Sequence, residues 1–128
     1  MWDTLSTNAF VRITHETAVS FFPENPPEFY LTPFSLSDTA RVSGWLRAAG
    51  FEDVDPIAVA RAGTSPSAAD AARGLIDGNP IAAAIVERRA DALPAVRAAL
   101  ERNLAAELGD GAGLRSTLRA FVFDARKP

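Results

Sequence analysis

Three groups of residues in this sequence are of types that carry chemistry: His15 beside Glu16, the acidic run Glu52, Asp53 and Asp55, and the glycines Gly109, Gly111 and Gly113. An imidazole next to a carboxylate is a general-base pattern. His15 is the sole histidine, however, and adjacent residues of a helix do not face each other. One imidazole also falls short of a metal ligand set, so the reading is a surface histidine. The acids alternate between the two faces of a strand and have no evident partner, which makes them a solvated strand entrance rather than a metal or acid-base centre. A glycine cradle for a phosphate needs a strand before it and a helix after it. The cluster "GDGAG" follows a helical pattern and precedes none, so it reads as a turn. Arg88, Arg89, Arg97 and Arg102 lie among acids such as Glu87 and Glu101 on helical faces and are read as solvated. No catalytic residue is assigned and no metal is expected.

Phe29, Tyr30 and Phe34 stand apart because they surround prolines instead of repeating along a regular core face. They are the substrate-side candidates, as walls for an apolar or aromatic ligand. The plainer reading, aromatics anchoring a proline-rich loop to the core, needs no ligand and is preferred. Trp45, in phase with Val42 and Leu46, is expected in the core.

The elements that must position these residues follow from punctuation and periodicity. A chain of 128 residues, 48% of them hydrophobic, is one domain with a modest core. Its net charge of −3 gives no basic footprint, which argues against nucleic acid. No apolar run is long enough to span a bilayer, no leader pattern opens the sequence, and there is no cysteine, so a cytoplasmic protein with no membrane partner is expected. Phe10, Ile13, Val19 and Phe22 predict a helix within residues 9–22, with Thr14 as an alternative start. "PENPPEFYLTP" is a loop, its four prolines removing donors. Ser37 and Asp38 open a helix over Val42, Trp45, Leu46 and Ala49, and Gly50 closes it. "FEDVDPIAVA" is a strand held to a sheet edge by Pro56. Helices follow over about 66–77, 80–90 and 92–108, broken at Gly78-Asn79-Pro80 and at Asp91-Ala92-Leu93-Pro94, where Asp91 is the expected cap. The consecutive apolar residues Ala120 to Phe123 mark a final strand covered on both faces and lying inside a sheet. The fold class is α+β: a small antiparallel sheet of residues 51–60 with 117–125 under about five helices.

In this order, and in the wording of "PFSLSDTARVSGWLRAAGFEDVD" and "LRAFVFDARKP", the chain resembles the C-terminal portion of class I S-adenosylmethionine-dependent methyltransferases, of the small-molecule type related to ubiquinone and menaquinone methyltransferases. "MWDTLSTNAF" is similar to that family's segment after the fifth strand, where a tryptophan and an asparagine precede a helix on the substrate side. The resemblance implies a terminal hairpin whose last strand lies between the fifth and sixth strands, with residues 66–108 as a helical insertion. It implies a methyltransferase-related domain, 1–128, contributing the substrate-side lid and the end of the sheet, with methyl transfer driven by positioning of a small-molecule acceptor. The family's strand-to-helix glycine loop and ribose-binding acid are not in this sequence. The chain alone is therefore expected to bind no cofactor and to be inactive by itself. S-adenosylmethionine enters only with a cofactor-binding partner chain. The alternatives are a non-enzymatic interaction or assembly module derived from a truncated methyltransferase, and an unrelated helical carrier of a small ligand. A final strand without its fifth-strand neighbour has an open edge, so residues 117–125 or the flanking helix faces are expected to be buried in a homo-oligomer or against such a partner.

Overall fold

A computed structural model describes residues 1–109 and 111–128; Asp110, in the expected glycine turn, lies outside the described residues. The chain forms α1 (Ala9–Phe21), α2 (Thr39–Ala48), β1 (Glu52–Ser65), α3 (Ala68–Asp77), α4 (Ile81–Arg88), α5 (Leu93–Leu108) and β2 (Leu114–Arg126), with a short 3-10 turn at Phe29–Leu31 in the proline loop. The fold is α+β, with β1 and β2 paired antiparallel in a two-stranded sheet. Both strands run past the expected limits. β1 continues to Ser65 and β2 begins at Leu114, because pairing holds from Asp55↔Asp124 to Ser65↔Leu114. A bulge between Glu52 and Asp55 bends the entry to β1, and Asp53 there adopts φ 50, a conformation aspartate tolerates.

The helices enclose one core. Ile76, Ile81, Ile85, Val96, Leu100 and Leu104 are fully buried, and Phe10, Ile13, Ala18, Tyr30, Phe34 and Leu114 complete the cluster. The four-residue spacing of Val96, Leu100 and Leu104 puts them on one stripe of α5, as the sequence predicts. α1 begins at Ala9 and not at Thr14, since Phe10 and Ile13 of its first turn belong to the core.

Four expectations are corrected. The cap of α2 is Asp38, not Ser37: its carboxylate accepts from the Arg41 N–H at 3.0 Å. α5 is capped at Ala92 with no side-chain bond, and Asp91 instead faces Arg89 at 3.8 Å, because the proline-led first turn leaves fewer donors to satisfy. Trp45 is 49% exposed. The buried stripe of α2 is Val42 and Ser43, which turns Trp45 to the helix margin, where the Arg41 guanidinium lies 4.6 Å from its ring. Finally, β2 is not covered on both faces along the apolar run: Ala120, Phe121 and Phe123 are half-buried and Val122 is exposed. The helical core reaches β2 through Leu114 and Leu118, at its other end.

Candidate functional site

The stretch "MWDTLSTN" has no periodicity, yet it makes the most specific polar contacts in the molecule. Trp2 pairs antiparallel with Ala120, on the edge of β2 away from β1. Asp3 N–H donates to Arg119 O at 3.1 Å, Phe121 N–H donates to Met1 O at 2.7 Å, and the Met1 ammonium donates to Phe121 O at 2.8 Å. Asn8, fully buried, continues this edge with its side chain: Oδ1 accepts from Arg119 N–H at 2.8 Å, and Nδ2 donates to Arg119 O at 3.2 Å and to Thr4 O at 2.9 Å. A buried amide with its groups paired in this way acts as a short piece of strand. Asp3 is also buried, and its Oδ2 lies 3.0 Å from Arg119 Nε. The spatial order is thus residues 1–3, then β2, then β1.

The candidate aromatics fall around this structure. Phe34 is buried and stacks on Trp2 with ring centroids 5.9 Å apart. Tyr30 is buried, meets half-buried Phe29 edge-on at 5.0 Å, and donates its hydroxyl to Leu75 O at 2.9 Å. Burial pushes the Tyr30 phenol up to about 12, so it remains a neutral donor. The loop is further held by Arg88, which is not solvated as its acidic neighbours suggest but donates to Asn25 O at 2.7 Å and Pro26 O at 3.1 Å. All three aromatics therefore stand in or against packed structure, and Tyr30 is tied to the main chain at Leu75.

Leu75 also lines an apolar cleft of about 280 Å³ between α1, α3 and β1. Phe10, Val11, Ala71, Leu75 and Leu118 supply the apolar wall, Gly63 and Gly74 leave it open, and Thr64 and Ser65 stand at its rim. Gly74 has free space where a Cβ would be, whereas a Cβ on Gly63 would sit 3.1 Å from Leu118 Cγ. Nothing in the sequence signals this cleft, because its members come from four elements and share no local spacing.

The remaining candidates are not brought together. His15 is half-buried, not a free surface residue; burial pushes its imidazole below the ordinary histidine value, and its buried Nδ1 has no hydrogen-bond partner among the described residues. Two of the three acids at the entry of β1 have a partner after all: Arg126 bonds Asp53 Oδ2 and Glu52 Oε2, each at 2.9 Å. Arg97 pairs with Asp77 at 2.5 Å. Among the described residues no group of three or more histidine and carboxylate side chains is placed to hold a metal ion, and no helix is long and apolar enough to cross a membrane. Compared with described protein families and with curated proteins, the chain matches none.

Proposed function

We propose that this chain is the substrate-side portion of a class I S-adenosylmethionine-dependent small-molecule methyltransferase. The observation that carries the reading is the strand order. In the family the final strand lies antiparallel between the end of the fifth strand and the sixth; here β2 lies antiparallel between residues 1–3 and β1. The segment then runs into α1 and the proline loop, the places of the family's substrate lid. Among the described residues no glycine loop joins a strand to a following helix, so this reading assigns the cofactor to a separate part. What these residues offer is the open apolar cleft under α1 and α3, whose wall of Phe10, Val11, Ala71, Leu75 and Leu118 suits an apolar or aromatic acceptor.

The test is a titration followed by amide resonances. Addition of 1,4-dihydroxynaphthalene, a quinol of the menaquinone type, is expected to shift Gly63, Gly74 and Leu118, while S-adenosylmethionine shifts nothing. Binding of the methyl donor to the chain alone would overturn the division of cofactor and acceptor between two parts. Silence of the cleft towards the quinol would remove the substrate-side role. The second reading, a non-enzymatic assembly module, would then gain, and it already has support in the exposure of Ile57 and Val122 on the hairpin.

A further inference from the structure

The outer edge of β2 is only partly occupied, and its chemistry names what completes it. Arg119 and Phe121 turn their N–H and C=O groups away from β1, towards residues 1–3 and Asn8. By the alternation of an antiparallel ladder, Phe123 and Ala125 turn theirs the same way. Pro56, which has no N–H, sits opposite Phe123, where the ladder asks for none. Among the described residues no backbone reaches this edge beyond Phe121. Directly across the hairpin, Asp124 faces Asp55, and neither has a salt-bridge partner among the described residues. Like charges opposite each other weaken a sheet. This end of the edge calls for a cation as well as a strand.

We propose that a second copy of this chain supplies both, through antiparallel pairing of β2 with β2 about a two-fold axis at Ala125. An axis placed on a residue keeps the outward residues opposite one another, and the choice at this end of β2 lies among Asp124, Ala125 and Arg126. An axis at Asp124 sets Asp124 against Asp124 and drives Lys127 of the second copy against Phe121, whose edge groups are bound to Met1. An axis at Arg126 sets Arg126 against Arg126. The axis at Ala125 sets Asp124 against Arg126 twice and matches Phe123 with Lys127. Each Arg126, already held by Glu52 and Asp53, then lies between the acids of two copies. The product is a continuous four-stranded sheet, β1 and β2 of one copy followed by β2 and β1 of the other. The edge groups used are those a fifth strand would take, so a cofactor-binding partner competes with the second copy. The pairing does not depend on the methyltransferase reading.

Light scattering on the full chain tests this. The expected mass is twice the 13.6 kDa of one chain, falling two-fold in Ala125→Pro, which removes an outward donor and leaves the β1–β2 ladder intact. Asp124→Lys and Arg126→Glu are each expected to be monomeric alone, because either substitution sets like charges against each other at both cross-copy contacts. Mixed, the two variants are expected to form a heterodimer, since each contact then joins a cation of one copy to an anion of the other. Recovery on mixing cannot arise from misfolding, which keeps the proposal testable if the proline variant unfolds. A monomeric wild type at millimolar concentration overturns the proposal. So does a dimer indifferent to all three substitutions, which would place the contact elsewhere.

Discussion

The helical body and the far end of the hairpin are built on opposite terms. In the body, α3, α4 and α5 contribute seven aliphatic side chains at 0% exposure, and the aromatic residues of α1 and of the proline loop close over them. On the hairpin, Ile57 and Val122 sit opposite each other and are 47% and 52% exposed. The body owes its order to burial that is complete within one chain. The hairpin owes its order to backbone pairing and to a few polar contacts, of which Asn8 and Asp3 are the most buried. A two-stranded ribbon is marginal by itself. Its length here is sustained because one end is sewn into the core at Leu114 and its outer edge is partly paired by residues 1–3.

That contrast is broken most directly from the body's side. Leu100→Ala deletes a fully buried side chain in α5 and is expected to cost about 3 kcal/mol of unfolding free energy, read from urea titration by circular dichroism. Asn8→Ala should cost about 2 kcal/mol, because Arg119 N–H loses its acceptor at a partly buried position. Hydrogen exchange sharpens that result: Arg119 and Phe121 amides should lose protection in this variant while those of α5 keep theirs.

A smaller effect is set by pH. Burial lowers the His15 imidazole below its unfolded value of 6.5, so the fold favours the neutral ring. The unfolded chain then binds more protons between the folded and unfolded values. Stability is full above about pH 6.5 and falls as the pH drops through that window. Urea midpoints at pH 7.5 and pH 5 should therefore separate more in the wild type than in His15→Gln. The smallest effect belongs to the hairpin. Ile57→Ala removes a half-open side chain and should change stability by no more than about 0.5 kcal/mol. A cost as large as that of Leu100→Ala would erase the distinction between the two regions.

Much of the body is legible in the sequence because its signals are local. The stripe of Val96, Leu100 and Leu104, the glycine and proline breaks and the closing turn at Gly50, whose φ is 87, all act within a few residues of themselves. Trp45 misleads because periodicity gives a face and not the width of what that face meets; β1 and β2 form too narrow a floor to cover it. Asp3 and Asn8 are silent because their meaning depends on Arg119, more than a hundred residues away. The same holds for the cleft, whose open floor at Gly74 becomes a feature only when α1 and β1 are beside it. Arg88 looks solvated because the carbonyls it binds belong to a loop with no pattern of its own.

The pairing of Trp2 with Ala120 also sets a timetable. During synthesis the residues that form β1 leave the ribosome long before those of β2, and residues 1–3 wait longer still for the strand they flank. α1 and α3 to α5 have their mutual contacts available earlier, since Leu104 precedes Leu114 in the chain. The sheet is thus the last part whose strands are both available, and for that interval β1 is without its partner strand. Its exposure to wrong partners is limited by residues it already carries: Asp53, Asp55, Pro56 and Arg61 interrupt the run that would otherwise nucleate aggregation.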